Sequence, residues 1–230
     1  MSRRNILLVI GRNNIIKDKE LISSLKEALS DLEYEFILYE SKDADTALFL
    51  QKRIQYLDEY PILRKVAKAF LLFIHPTRWD YFLSPFRKEQ PIEKQVKKLK
   101  TYIQKLQEKN PHQKIIILSR SAGGRASSLI ADTLGIEKLI CLGYPFKHPE
   151  KPHEPDRYEH LSTLRTPFLI LQGERDAYGG KEMEHKYLLS PFISLKFVQT
   201  DHNFRVSEQE FNMVVQKIKG FIVDKTINKR

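Results

Sequence analysis

A single cysteine, Cys141, stands in 230 residues, so the chain has no internal disulfide framework and is compatible with a reducing compartment. Long apolar runs are missing too. Near the N-terminus, Ile6-Leu7-Leu8-Val9-Ile10 follows a basic start but is too short for a membrane span or a signal-peptide core. It reads as a buried strand, and a cytoplasmic location is expected. Glycine is scarce, with nine residues, and neither G-x-G-x-x-G nor G-x-x-x-x-G-K-[ST] occurs. That excludes the dinucleotide fingerprint and the phosphate-binding P-loop. No internal repeat or low-complexity tract is visible. Acidic residues are outnumbered, 29 against 39 Lys and Arg, for a formal charge of +10. Such a balance attracts anionic surfaces and says nothing about fold.

What is present is alternation. Five β-rich runs recur with helical patterns between them: Ile6–Ile10, Glu35–Tyr39, Lys114–Leu118, Lys138–Leu142 and Pro167–Leu171. A sixth, Ser194–Val198, precedes a last helix. The pattern predicts an α/β protein, with a mostly parallel central sheet of about six strands flanked by helices. Leu21, Ile22, Leu25, Leu29 and Leu32 share one face of the first helix. Ile92, Val96, Leu99, Ile103 and Leu106 share one face of the helix before the third strand. Lysines from Lys94 to Lys109 cover that helix's other face and read as a solvated surface. Without aromatic interleaving or a known module, a nucleic-acid partner is not expected.

Length fits one domain over 1–230, with 43–90 as a helical insertion too long for a simple crossover. Within it, Ile62 to Ile74 is amphipathic, and Trp79, Tyr81, Phe82 and Phe86 form an aromatic tail. Packing of the insert onto the domain is the simpler expectation. A lid, an acyl-chain wall or peripheral docking of Phe70 to Phe86 on an anionic membrane are the alternatives.

The chemistry concentrates where Ile115-Ile116-Ile117-Leu118 breaks into Ser119-Arg120-Ser121-Ala122-Gly123-Gly124, followed at once by helix-like sequence from Arg125 to Leu134. A strand, a sharp turn carrying a serine, and a helix resemble the nucleophile elbow of α/β-hydrolases. Small neighbours two residues either side of Ser121 are needed at such a turn; Gly123 supplies one, and Ser119 replaces the usual leading glycine. A serine hydroxyl needs a histidine to take its proton and an acid to orient that histidine. Asp176 leaves the end of the fifth run and His202 the end of the sixth, in the order Ser, Asp, His. The alternatives are Ser121 as a plain helix N-cap, and Asp201 or Glu174 as the acid. Asp201 adjoins the histidine and is poorly placed to reach its ring. Ser119 and Ser127 do not occupy the turn apex. An oxyanion hole is expected from the Ala122 N–H and the loop at Gly11 and Arg12. The mixed His and carboxylate stretch 147–156 fits no zinc spacing, so no metal and no cofactor are expected. Cys141, inside an apolar strand, reads as core.

With these residues placed, the chain resembles the dienelactone-hydrolase-like group of α/β-hydrolases, the group that includes testis-expressed protein thirty and the third subunit of the NSL complex. The resemblance rests on Ser119 to Ser127, Gly143-Tyr144-Pro145, His160-Leu161, Gln172 to Gly179 and Asp201-His202. It implies an α/β-hydrolase fold and a triad of Ser121, Asp176 and His202. The departures are Ser119, a loop with one glycine at Gly11, and the 43–90 insert. The expected function is a serine hydrolase acting on a small-molecule ester, a carboxylester or thioester with an apolar group. The competing expectation is an inactive scaffold of the same fold that binds a protein, anionic lipid or nucleic acid.

Overall fold

The computed structural model describes residues 4–10, 19–32, 34–39, 46, 49–50, 52–76, 91–151 and 154–224. Six strands form one sheet: β1 (Asn5–Ile10), β2 (Tyr34–Tyr39), β3 (Ile115–Arg120), β4 (Lys138–Leu142), β5 (Phe168–Gly173) and β6 (Ile193–Val198). Their order is β2-β1-β3-β4-β5-β6. Every pairing is parallel, with Ile10 beside Ser119 and Gly173 beside Val198. Among the described residues, the helices α1 (Lys19–Ala28), α2 (Pro61–Phe73), α3 (Pro91–Lys109), α4 (Ala122–Ser128) and α5 (Glu208–Val223) accompany them.

The strands read as continuous apolar runs because both faces of the sheet are covered. The two-residue period of a strand then sorts them. Ile6, Leu8, Ile115, Ile117, Leu139 and Ile170 face α3 and α4, where Leu99, Ile103 and Ala126 meet them. Leu7, Val9, Ile116, Leu118, Ile140 and Leu171 face the other way, onto Leu25 of α1, Leu29 just past its end, and Val214, Ile218 and Phe221 of α5. A parallel sheet puts all its strand C-termini on one edge, which is where Ser121, Asp176 and His202 emerge.

One lysine sits where a hydrophobe would be expected. Lys138 opens β4 and is buried, yet its ammonium donates to the carbonyls of Phe221, Ile222 and Asp224 at 2.9, 3.0 and 2.5 Å. Those are carbonyls that the end of α5 leaves without intrahelical partners, and a cation there also suits the helix dipole. Burial pulls the Lys138 pKa down, against the opposing pull of Asp224 and Glu137. The other end of α5 carries a capping box between Ser207 and Glu210.

Two expectations need correction. β3 runs on through Ser119 and Arg120, so the turn begins at Ser121 itself. The helix after it starts at Ala122 and stops at Ser128, short of Leu134. Within that helix the Ser127 hydroxyl donates to Gly123 O and the Ser128 hydroxyl to Arg125 O, and serine hydroxyls that bond nearby carbonyls compete with the helical ladder. In 43–90, the described residues form helical turns before the 3-10 turn Gln55–Leu57, and then α2. Leu72 of α2 packs with Leu50 and Ile54 in a small cluster of the insert's own. Ile62, Val66, Phe70 and Phe73, at helical spacing, face outward and are exposed. The aromatic tail from Trp79 to Phe86 lies outside the described residues.

A second polar cluster ties the 3-10 turns at Pro155–Arg157 and Glu159–Ser162 to the back of α4. Arg125 pairs with Asp156, Tyr144 donates to Arg157 O at 2.7 Å, and Ser128 Oγ lies 2.8 Å from His160 Nε2. Burial and the neighbouring Arg125 push the His160 pKa down to about 4, against the opposing charge of Asp156. A histidine kept neutral in the native state but free to protonate when unfolded costs stability as pH falls. The unfolded chain takes up its proton near pH 6.5, whereas the native chain does so only near 4. Lowering the pH from 7 to 4 is therefore expected to reduce unfolding free energy through this residue, on the order of 2 kcal/mol after allowing for its partial exposure. Urea titrations of the wild type and His160→Gln check this: the pH-dependent difference between them should close as pH falls through that window.

Candidate active site

The end of β3 makes an abrupt turn at Ser121, with φ 48° and ψ −122°. A non-glycine residue at such a φ is strained by about 1–3 kcal/mol and is held there by its surroundings. The surroundings are identifiable. The Ser121 N–H donates to Leu142 O at 3.2 Å, and Ser121 O accepts from Gly124 N at 2.8 Å. The strained turn lifts Ser121 Oγ off the sheet edge to within 3.0 Å of His202 Nε2. The other ring nitrogen, Nδ1, lies 2.8 Å from Asp176 Oδ2. Residues from the ends of β3, β5 and β6 thus form one continuous hydrogen-bonded chain.

Asp176 is buried and fully engaged. Its Oδ1 accepts from the Tyr178 N–H at 2.8 Å, and Oδ2 accepts from Gln172 Nε2 at 3.0 Å as well as facing His202. Gln172 is itself locked: Oε1 accepts from the Tyr144 N–H at 2.8 Å and Nε2 also donates to Gly179 O at 2.6 Å. Asp201 does not take the acid's place, because its Oδ1 is turned into its own loop and accepts from Asn203 N at 2.8 Å. The His202 ring also rests against Tyr178, with centroids 4.4 Å apart.

His202 is steadied from below by Arg120, the residue just before Ser121. Arg120 Nη2 donates to His202 O at 3.4 Å and Asn203 O at 3.0 Å, and its guanidinium lies 5.6 Å from the Phe204 ring centroid. Gly143 leaves room for the acid–histidine pair: it has φ 67°, and a Cβ there would sit 3.2 Å from Asp176 Oδ2 and 3.3 Å from His202 Nδ1. Neither Arg120 nor Gln172 is marked as functional by its sequence position alone, because the partners that give them a role are brought in only by the fold.

The elbow's tight packing falls on a different glycine from the one the turn pattern emphasises. A Cβ on Gly123 would meet Ile10 Cγ2 at 3.0 Å, whereas one on Gly124 would lie 2.9 Å from Cys141 Cβ and overlap Cys141 Sγ. Ser119 is accommodated without crowding, since its buried hydroxyl donates to Ile140 O at 2.9 Å. Cys141 is wholly buried, and burial pushes its thiol up to about 12, which suits a packing role. Ala122 is exposed in the first turn of α4, where N–H groups have no intrahelical acceptor. Gly11 and Arg12, the other expected oxyanion donors, lie outside the described residues. Among the described residues, no group of three His, Cys, Asp or Glu is placed to hold a metal ion, and no helix is long and apolar enough to cross a membrane.

The class these features define agrees with comparison to known proteins. The model of the alpha/beta hydrolase domain family matches residues 84–224, more than half of the chain, and the chain belongs to that family. Among solved structures it is similar to Est1E from Butyrivibrio proteoclasticus with ferulic acid bound, at 11% identity, covering 96% of this chain and 89% of that one, with TM-score 0.59. It is also similar to an α/β serine hydrolase without a lid from Xanthomonas campestris, at 11% identity, covering 96% and 83%, with TM-score 0.56. A putative hydrolase of the same superfamily from Xanthomonas campestris pv. campestris aligns at 10% identity over 94% and 99%, with TM-score 0.55. At such identities the likeness is one of fold. No curated protein matches the chain significantly.

Proposed function

We propose that the protein is a serine hydrolase that cleaves an ester-type bond, a carboxylester or a thioester, through an acyl-enzyme. The observation that carries this reading is the unbroken chain from Ser121 Oγ through His202 to Asp176 at the apex of a strained turn. His202 Nε2 takes the proton as Ser121 Oγ attacks the carbonyl carbon, and Asp176 stabilises the imidazolium that results. The Ala122 N–H supplies one donor to the developing oxyanion. Collapse of the tetrahedral intermediate expels the alcohol or thiol, which receives its proton from His202. Water, activated by the same nitrogen, then attacks the acyl-enzyme and frees the acid. A pure binding scaffold of the same fold has no use for the strained Ser121 or for the fully satisfied acid behind His202. Within the family, the motifs at Ser119–Ser127 and Gln172–Gly179 point to the dienelactone-hydrolase-like branch.

A fluorophosphonate probe tests the reading directly. It should label the purified protein once per chain, and Ser121→Ala should abolish labelling while leaving the fold intact by circular dichroism. Wild-type protein that stays unlabelled under conditions that label a known esterase overturns the hydrolase reading.

A further inference from the structure

Among the described residues, free space beside Ser121 opens toward His202. A cavity of about 530 Å³ opens between Ser121, His202 and the residues Arg175, Tyr178, Asp201 and Asn203. Apart from Ser121, these come from the two loops that follow β5 and β6. In an acyl transfer the histidine returns its proton to the departing oxygen, so the leaving group has to stand beside His202. This cavity adjoins that ring, whereas the Ala122 N–H lies at the start of α4. A leaving alcohol beside His202 would stand against this cavity.

Among the described residues two charged side chains line it, and they are not equivalent. Asp201 is committed to its own loop. Burial pushes its carboxyl up, but hydrogen bonds from Asn203 and the nearby Arg205 hold it below the usual carboxylate range. Arg175 is exposed, and its guanidinium has no hydrogen-bond or ion-pair partner among the described residues. By contrast, Arg120 bonds the carbonyls of His202 and Asn203, Arg125 pairs with Asp156, and Arg157 pairs with Glu154. Backbone geometry fixes where Arg175 starts, because its N–H donates to Thr200 O at 3.1 Å across the two loops. A guanidinium with its donor fork uncommitted at the wall of a reaction site suits a carboxylate or phosphate oxyanion. Tyr178, packed on the His202 ring, adds a flat wall beside it.

We propose that the esters this site hydrolyses carry an oxyanion on the leaving-alcohol side, and that Arg175 receives it. The inference rests on the hydrolase reading above. It makes Arg175 a specificity-determining residue that acts chiefly through KM, and it separates the two halves of the substrate: the charge belongs to the alcohol, not to the acyl group.

Three acetate esters with the same acyl group test this on the full chain: 3-acetoxybenzoate, 3-acetoxyphenyl phosphate and the neutral 3-acetoxybenzamide. Each rate is normalised to its own hydroxide-catalysed hydrolysis. Wild type should prefer at least one anionic ester over the neutral one by about fivefold in kcat/KM at low salt, the range of a partly exposed ion pair. Which anion is preferred tells carboxylate from phosphate. The preference should collapse to about one in Arg175→Gln, persist in Arg175→Lys, and shrink in 1 M salt. A wild-type ratio at or below one, or a preference that survives Arg175→Gln, overturns the assignment. If fluorophosphonate labels Ser121 yet no preference is seen, the leaving-group inference falls alone. If there is neither labelling nor turnover, it falls together with the hydrolase reading.

Discussion

Asp176→Asn is expected to lower kcat by about a thousandfold to ten-thousandfold while KM changes little. The reason is a conflict among donors. In the wild type both carboxylate oxygens accept: Oδ1 from the Tyr178 N–H, Oδ2 from Gln172 Nε2 and from the His202 ring. An asparagine must place its NH2 group on one side or the other. Toward Tyr178 it meets a backbone N–H, donor against donor. Toward Gln172 it meets another NH2 and forces His202 Nδ1 to accept, so the ring proton moves to Nε2. A protonated Nε2 cannot take the proton of Ser121. Gln172 cannot relieve the conflict by flipping its amide, because its own Oε1 and Nε2 are held by the Tyr144 N–H and Gly179 O. Steady-state kinetics on any turned-over ester, with the variant's melting temperature as control, checks this. An Asp176→Asn enzyme within tenfold of wild-type kcat removes Asp176 from the mechanism.

Gly124→Ala should be strongly destabilising. On an exposed helix the change would stabilise by about 1 kcal/mol. Here the new Cβ falls on Cys141, which is wholly buried in β4, at 2.9 Å from its Cβ and in overlap with its sulfur. The strand below and the helix above must part, and overpacking of this kind costs about 3 kcal/mol. For a chain of this length that is a fall of roughly 6–12 °C in Tm. The elbow moves with the helix, so activity should drop too. Adding Cys141→Gly removes the obstructing side chain, and the double variant should recover stability relative to the sum of the two single changes. Purely additive losses would show that the crowding is not at this contact.

How much of this was legible in the sequence follows from how far each signal reaches. Strand ends were readable to within one or two residues because apolar runs stop at or just before the sheet edge. Ser121, Asp176 and His202 lie just past three such ends, so their meeting on one edge followed from parallel pairing. The supporting residues were not readable as such. Arg120 acts on carbonyls 82 and 83 positions away, Lys138 on carbonyls 83 to 86 away, and neither distance leaves a local trace. Gln172 stood inside a recognised motif, yet its role depends on Tyr144 and Gly179 as much as on Asp176. Gly124 looked like an ordinary companion to Gly123 until Cys141 was brought beneath it. The outward apolar face of α2 was hidden for a related reason: periodicity reports that a helix has an apolar stripe, not whether anything covers it.

The strand order also dictates when the site can exist. β1 is flanked by β2, which follows within 40 residues, and by β3, which does not begin until residue 115. No hairpin links any neighbouring pair, so every pairing must close a loop before it gains contacts. While the chain emerges from the ribosome, Ile6 to Ile10 therefore keeps a bare apolar edge until β3 has been made. The histidine after β6 joins last, which makes assembly of the Ser121–His202–Asp176 chain a late event and leaves the nascent chain exposed to self-association in the meantime.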